Sequence, residues 1–313
     1  MYLLVLKQLV IMSLLGLSGF IFAKAVKAKE SEQKFLSKML LYFINPCLIL
    51  NSFDMEFDVI KLKELGFVAL LALVSQILMI LVCSLFTFSK KEEVRDLNII
   101  ERMAGVFTNC GFVGIPLIRG VFGDKGVFYL MGYLVVFNIL LWTYGMAILS
   151  GKISIKKIVT NPVIIFSFAG LLLFLCPFTL PKIISKPLVM IADMNTAVAM
   201  ILIGLFFANF HYKKGFILRL LRFNILRLVV CPLLVLGFLF LVYKFLPFNF
   251  QEERLFLFVV LICSSCPSAT SIPSMAVLFD KDSSFASLCV SISSVTCIAT
   301  LPTVVLLAEQ LIK

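Results

Sequence analysis

The chain has 313 residues, of which 61% are hydrophobic and only 14% charged, and its mean hydropathy is +1.10. A globule this apolar would have too little polar surface to cover itself in water, so the composition excludes a soluble protein and predicts one embedded in a lipid bilayer. The formal net charge of +11 lies mostly in short segments between apolar runs, where it indicates membrane topology rather than a nucleic-acid partner.

Ten apolar runs are long enough to cross a bilayer, because a transmembrane helix needs about 20 mainly apolar residues. In chain order, the predicted spans are residues 3–23, 35–53, 65–88, 98–122, 126–149, 161–177, 188–209, 223–246, 254–279 and 284–311. The first run also resembles a signal peptide, since Ala-Lys-Ala at 23–25 mimics a cleavage site. Lys7 lies inside this run rather than before it, so we expect a retained helix.

The connections between the spans indicate the orientation of the chain. Sixteen basic residues lie in or beside connections 1–2, 3–4, 5–6, 7–8 and 9–10, whereas nine lie on the opposite side. Cytoplasmic loops carry an excess of Lys and Arg, so this bias predicts that both termini are extracytoplasmic. An odd number of spans in each half inverts the second half. We therefore predict an all-α membrane protein built from two inverted five-helix repeats, residues 1–157 and 158–313.

An Ile-Pro pair occurs at corresponding places in the two halves, in predicted spans 4 and 9. Pro116 and Pro273 are 157 residues apart, and each is followed six residues later by Phe and then by Asp-Lys. Proline lacks the amide hydrogen that a continuing helix needs, so both spans are predicted to be broken. Pro267 adds a second break in span 9 and predicts an extended linker there. Breaks at membrane depth must face protein or a watery cavity, and paired breaks point to a transporter's binding site.

The two breaks are predicted to form an anion-binding site. A half-helix that begins at either proline would direct free N–H groups and a partial positive charge towards the middle of the membrane. Facing helix ends of this kind would bind an anion such as a carboxylate. The alternative is that each proline only kinks its helix. The candidate substrate-binding residues are Asn109, Gly114, Ile115, Pro116, Asn138, Ser271, Ile272 and Pro273.

Few other polar residues of the predicted spans suggest chemistry. Asn138 lies in the middle of the fifth span, where its amide is expected to hydrogen-bond either to another helix or to a ligand. No Asp or Glu lies at the centre of a span, so we expect the two helix ends, rather than a buried Lys or Arg, to be the main electrostatic feature of the site. Nine scattered cysteines form no disulfide framework, and neither a metal cluster nor a nucleophile with its base is evident. No enzyme activity, metal or cofactor is therefore predicted.

Four stretches resemble the auxin efflux carrier family, which includes bacterial carriers of organic acids and the plant PIN-FORMED auxin exporters. Residues 109–117 resemble the family's Asn-x-x-x-x-Gly-Ile-Pro-Leu motif, and residues 267–281 resemble its second crossover. Residues 197–208 resemble a seventh-helix signature, and Leu301-Pro302 resembles part of the closing helix. The chain differs from the plant exporters in having no large loop between spans 5 and 6 and no clear match to their third-helix acidic residue.

The resemblance implies a fold in which spans 4 and 9 cross at their breaks. It implies a scaffold of helices 1, 2, 6 and 7, a transport unit of helices 3–5 and 8–10, and an elevator-type motion of one against the other. It also implies a homodimer formed through helices 2 and 7. In the plant carriers, the substrate carboxylate is held by the Asn that Asn109 matches, with help from a fifth-helix polar residue that Asn138 or its neighbourhood matches.

These features favour a secondary transporter of a small organic anion, a carboxylate or dicarboxylate, in the plasma membrane. The expected partners are the anion and the lipid bilayer, without nucleic acid. One alternative is a sodium-coupled symporter of the bile-acid type, which would lose uptake when sodium is replaced by potassium. Another is a ligand-sensing receptor or a channel on the same scaffold. Binding without flux would indicate a receptor, and saturable flux with counterflow would indicate a carrier.

Overall fold

Helices form the regular structure of the protein. The structure is a computed structural model that describes residues 1–88, 94–151, 153, 155–176, 180–208, 216–245 and 252–312. No β-strand occurs within these ranges, and the predicted all-α class is confirmed. The α-helices are α1 (Tyr2–Val26), α2 (Glu30–Met39), α3 (Asn45–Phe53), α4 (Val59–Phe86), α5 (Arg95–Val106), α6 (Ile115–Leu140), α7 (Met146–Ser150), α8 (Ile155–Val159), α9 (Pro162–Leu175), α10 (Lys182–Ala208), α11 (Ile217–Ile225), α12 (Cys231–Phe245), α13 (Glu253–Ser265), α14 (Ile272–Leu278) and α15 (Ser283–Leu311).

Wider, π-helical turns precede several of these helices, and proline explains three of them. The turns are Leu40–Ile44, Cys110–Gly114, Leu141–Gly145 and Leu226–Val230. After the first, second and fourth turns, the second residue of the next α-helix is Pro46, Pro116 or Pro232, respectively. A proline cannot donate to the carbonyl group four residues earlier, and a wider turn lets the helix continue around the missing bond.

Seven helical segments of the described residues are long and apolar enough to cross a membrane, by length and composition. They confirm the prediction of a multi-pass membrane protein. The segments are Tyr2–Val26, Ser31–Phe53, Val59–Phe86, Cys110–Ser150, Lys182–Ala208, Ile217–Phe245 and Ser283–Leu311.

Three features account for the difference between these seven segments and the ten predicted spans. Predicted span 4 is divided between α5 and the helical run Cys110–Ser150, which also contains predicted span 5. This run bends at Gly123, where φ is 66° and ψ is −161°. Glycine adopts this conformation readily because it has no Cβ atom. Predicted span 6 becomes α9, which has only 14 residues and ends at Leu175. Predicted span 9 is divided into α13 and α14 by the linker 266–271.

Apolar side chains cover much of the outer surface of the helices. Leu85, Ile183 and Leu218, for example, are 75%, 84% and 81% exposed. So much apolar exposure would be unfavourable in water, whereas lipid tails solvate it without penalty. The surface therefore fits the bilayer that the composition predicts.

The backbones of α1 and α10 approach each other closely at glycine residues. A Cβ atom placed on Gly204 would lie 2.2 Å from the carbonyl oxygen of Gly16, and one placed on Gly19 would lie 2.6 Å from the Cα atom of Ile201. Small residues permit such close contacts between membrane helices. The two helices form one wall of a cavity beside the helix breaks.

The orientation of the chain in the bilayer stays a prediction. It depends on basic residues of the connections, six of which lie outside the described residues: Lys90, Lys91, Lys152, Lys213, Lys214 and Lys313. The predicted boundary between the two repeats, at residues 157 and 158, falls within the five-residue helix α8.

Candidate functional site

The two helix breaks lie against each other and are joined through their main chains. The first break follows α5, and the second separates α13 from α14. Thr108 and Ser268 form an isolated antiparallel bridge. The amide of Asn109 donates to the carbonyl oxygen of Pro267 at 2.7 Å, and the amide of Ala269 donates to that of Phe107 at 2.9 Å. Two segments that would expose backbone groups within the membrane thus satisfy part of each other's hydrogen-bonding capacity.

Side chains complete this hydrogen bonding at the ends of α5 and α13. The hydroxyl group of Ser268 donates to the carbonyl oxygen of Ala104 at 2.8 Å, and the Ser268 amide donates to Ser293 Oγ at 3.1 Å. The thiol of Cys297 donates to the carbonyl oxygen of Ser265 at 3.8 Å. The last carbonyl groups of a helix have no partner within the helix, so these polar residues of α15 and the linker hold the breaks in place.

Asn109 begins the helix that follows the first break. Its side-chain oxygen accepts a hydrogen bond from the Phe112 amide at 3.3 Å, and its carbonyl oxygen accepts from the amides of Val113 at 2.9 Å and Gly114 at 3.2 Å. Asn is among the preferred residues at such a cap. The helix therefore starts at Asn109, seven residues before Pro116, and the prediction that it begins at Pro116 is wrong. Proline widens the first turn of this helix instead of starting it.

Several buried polar groups around the breaks are unpaired among the described residues. Asn109 is 4% exposed, and its amide nitrogen, Nδ2, has no hydrogen-bond partner there. The same holds for the hydroxyl oxygens of Thr108 and Ser265. Buried polar groups nearly always have partners in folded proteins. A ligand or ordered water would supply them here.

Gly114, a predicted site residue, packs against the second break. A Cβ atom at this position would lie 3.3 Å from Cys110 Cβ and 3.5 Å from the sulfur of Cys266. A Cβ atom would thus be in ordinary contact with the second break, and a larger side chain would crowd it. Pro116 faces α1, where its carbonyl oxygen accepts a hydrogen bond from Gln8 Nε2 at 3.4 Å.

The remaining residues of the two Ile-Pro pairs differ in exposure. Ile115 and Ile272 are 1% and 2% exposed, so both anchor their helices in the core. Pro273 is half-buried and Ser271 is exposed. Pro273 is the second residue of α14, close to the predicted start of this half-helix.

Asn138 hydrogen-bonds to its own helix and to α9. Its Nδ2 donates to the carbonyl oxygen of Leu134 at 2.8 Å, and its Oδ1 accepts from Asn161 Nδ2 at 3.1 Å. Asn161 is the residue that caps the start of α9. Of the two roles considered for Asn138, its described contacts match the hydrogen bond to another helix. Its neighbour Phe137 contacts the first break, with its ring 5.7 Å from that of Phe107.

A cavity of about 370 Å³ lies beside the joined breaks. Val113 and Pro267 contribute one residue from each break, and α1, α10 and α15 supply the rest of its lining. Ser13 and Ser294 provide the only hydroxyl groups among its described lining residues. The cavity is therefore mainly apolar, and Val113 and Pro267 connect it to the two breaks.

Arg227 is a buried cation that sequence analysis missed. It is 0% exposed, and its guanidinium group donates to the carbonyl oxygens of Gly105 at 3.3 Å, Ser264 at 2.7 Å and Cys266. It also contacts the sulfur of Met79 at 3.6 Å. The sequence predicts that the two helix ends, rather than a buried Lys or Arg, are the main electrostatic feature of the site, and the structure adds this buried Arg beside both breaks. A basic residue inside the apolar segment Ile217–Phe245 was the available signal, because charged residues in spans are costly and mark functional positions.

Two carboxylates are also more deeply buried than predicted. Glu64 lies within α4, is 1% exposed, and accepts hydrogen bonds from the Tyr129 hydroxyl and, at 3.2 Å, from the Glu252 amide. Glu101 on α5 is 1% exposed and pairs with Arg219 of α11 at 2.7 Å. Glu64 is the sixth residue of α4 and Glu101 lies in the middle of α5, and both have hydrogen-bond partners that support a structural role.

Comparison with known proteins identifies a family. The family model described as "Membrane transport protein" matches residues 4–153 and, a second time, residues 146–305. No curated protein matches the chain. The two matches together cover most of the sequence, and the chain therefore belongs to this membrane transport protein family, which includes auxin efflux carrier and PIN-like proteins.

Proposed function

We propose that the protein is a secondary transporter of a small organic anion, a carboxylate or dicarboxylate, which binds where the two helix breaks meet. The observation that carries the proposal is the buried amide nitrogen of Asn109, which has no partner among the described residues and lies in the segment that joins the breaks. Membership in a transport family supports transport as the activity.

The charges around the breaks favour an anion. The helix that starts at Asn109 carries a partial positive charge at this end, and Asn109 Nδ2 adds a neutral hydrogen-bond donor. Arg227 lies at the carboxyl ends of α5 and α13 and offsets their partial negative charges, and no ion pair among the described residues includes it. The seven-residue α14 contributes a weaker helix end, so the first break would provide most of the attraction.

The cavity favours an organic body on the anion. Its lining side chains, such as Met12, Phe20 and Ile203, would bury the carbon skeleton while the carboxylate reaches the breaks. A volume of about 370 Å³ is at the small end of the range for ligand pockets. A carboxylate with an apolar group fits these walls better than a dicarboxylate, whose second charge would lie against them.

For the architecture, we propose ten spans in two inverted repeats, with α5–α6 and α13–α14 crossing at the breaks. The scaffold would comprise α1, α2–α3, α9 and α10, and it would form the dimer through α2–α3 and α10. The remaining helices would move as an elevator. Arg119 of α6 would then connect the two units, because it pairs with Asp193 of α10 at 2.7 Å and donates to the Ala192 carbonyl oxygen at 3.0 Å. In the plasma membrane with both termini extracytoplasmic, these contacts would close the outer side.

A thermal-shift screen of the purified protein tests the proposed ligand class. We expect saturable stabilisation by carboxylates such as hexanoate, benzoate or succinate and none by the matched neutral amides, since a ligand at ten times its Kd stabilises the folded state by about 1.4 kcal/mol. The absence of stabilisation by every carboxylate across roughly pH 5–8, where carboxylic acids with a pKa of about 4 are mostly ionised, would contradict the proposal. Binding without flux in liposomes would indicate a receptor, and flux that requires sodium would indicate the symporter.

A further inference from the structure

Arg227 occupies an unusual position, at the ends of two helices that are distant in sequence. Gly105 belongs to the last turn of α5, and Ser264 belongs to the last turn of α13. The guanidinium group of Arg227 donates to the carbonyl oxygens of both residues and to that of Cys266, which begins the linker of the second break. A single side chain therefore contacts the main chain immediately before each break.

The environment of Arg227 compensates its charge by dipoles rather than by a carboxylate. A buried cation is costly unless it is hydrogen-bonded and electrostatically balanced. No Asp or Glu pairs with Arg227 in the part of the chain that the structure describes. The carboxyl ends of α5 and α13 each carry about half a negative charge, which a cation stabilises. The fork of N–H groups of an Arg side chain can reach both ends at once, which a Lys ammonium group does less well.

The joined breaks depend on a small number of other contacts. Two main-chain hydrogen bonds connect them, from Asn109 to Pro267 and from Ala269 to Phe107, and the Ser268 hydroxyl adds a third link to α5. Hydrogen bonds that involve a charged group are stronger than those between two neutral groups. The bonds of Arg227 are therefore the strongest links between the two breaks.

We propose that Arg227 is a positioning residue, which holds the ends of α5 and α13 together so that the two breaks form one site. It also cancels the negative ends of these helices and leaves the positive end at Asn109 unopposed. This role rests on the proposed function, because the assembled breaks are the proposed anion site. Arg227 has no described contact with the cavity and acts through the backbone.

Thiol labelling measures directly whether the breaks stay assembled. Cys266, in the second break, and Cys110, in the first, are both 0% exposed, so a membrane-permeant maleimide reaches them only after local opening. Cys289 on α15 is equally buried and is an internal control for general unfolding. Mass spectrometry of the labelled protein gives the rate at each cysteine separately, and the assay requires no substrate.

We expect Arg227→Met to label at Cys266 and Cys110 at least about tenfold faster than wild type, with the rate at Cys289 unchanged. Arg227→Lys, which keeps the charge but loses the fork, would give intermediate rates and partly restore anion-dependent stabilisation. Arg222→Met removes an exposed Arg from the same helical segment. Its partner Glu101 keeps the ion pair with Arg219, so this variant would label like wild type.

Two results would overturn the proposal. One is that Cys266 and Cys110 are labelled in Arg227→Met at the same rates as in the wild-type protein. The other is equal acceleration at all three cysteines in both Arg227 variants, which would assign Arg227 to the stability of the whole fold. If the wild-type protein binds no carboxylate but the variants show the expected labelling rates, the proposed function is refuted and the role of Arg227 stands.

Discussion

The packing of Gly114 against the second break predicts a large effect of a side chain at this position. A Cβ atom there would already lie 3.3 Å from Cys110 Cβ, 3.5 Å from the sulfur of Cys266 and 3.8 Å from that of Cys263. In Gly114→Val, the two γ-carbons extend about 1.5 Å further, a single C–C bond length, and a γ-carbon directed towards the second break would overlap a sulfur atom. The two breaks would have to separate.

The expected magnitude follows from overpacked protein interiors, where such insertions destabilise by about 1–3 kcal/mol. This loss corresponds to a fall in Tm of roughly 2–10 °C in a chain of this size. Gly111 is the matched control, since it lies in the same π-helical turn and a Cβ atom there would meet no described atom within 4 Å. Both substitutions replace glycine by the same residue, so their difference isolates packing against the second break.

The assay is the Tm of each purified variant in detergent, followed by its carboxylate-dependent thermal shift. We expect Gly114→Val to melt at a lower temperature than Gly111→Val and to lose the shift. Equal Tm values for the two variants would show that the breaks are not in tight contact at Gly114, which would refute this reasoning.

Two further predictions concern the contacts of α10. Gly204→Ala would place a Cβ atom 2.2 Å from the carbonyl oxygen of Gly16 and destabilise the protein by about 1–3 kcal/mol. The control Gly237→Ala, whose Cβ atom would have no described atom within 4 Å, would leave the Tm unchanged or slightly raised. Equal effects of the two substitutions on the Tm would contradict the close contact of α1 and α10. Arg119→Gln removes a partly exposed ion pair with Asp193, worth up to about 1 kcal/mol. We therefore expect faster hydrogen exchange in α10 around Asp193, measured at low salt because salt screens the ion pair. Unchanged hydrogen exchange would exclude a contact that closes this side.

The positions of the helix breaks could be predicted from the sequence because proline has a strong local effect on a helix. Pro116 and Pro273 lack amide hydrogens, and the equal spacing of similar neighbours marked them as a pair. The start of the first half-helix could not be placed correctly in the same way. Asn109 caps it, and the following π-helical turn lets Pro116 lie within the helix rather than at its beginning.

Tertiary contacts explain what else the sequence did not disclose. Asn138 had two possible roles, and the choice depended on Asn161, which is 23 residues away in the chain. Arg227 was overlooked because the orientation argument counts basic residues in loops, and its partners come from α5 and α13. The hydropathy pattern also predicted that the sixth span ends at residue 177, whereas α9 ends at Leu175, because hydropathy reflects composition and does not show where a helix ends.

Asn109 provides the most direct test of the central proposal, because its two roles can be separated. Asn109→Asp keeps the side-chain oxygen that accepts from the Phe112 amide, and Asp caps helices as well as Asn does. The substitution removes the Nδ2 donor and adds a negative charge, so an anion would lose a hydrogen bond worth about 1.5–3 kcal/mol and meet repulsion.

The measurement is counterflow of a labelled carboxylate, chosen from the thermal-shift screen, in liposomes that contain wild type or Asn109→Asp. The proposal predicts that the variant inserts and stays folded at the assay temperature while its exchange rate falls at least about tenfold. Exchange at the wild-type rate by a correctly inserted Asn109→Asp protein would show that Asn109 only caps a helix, and it would contradict the binding of an organic anion at the joined breaks.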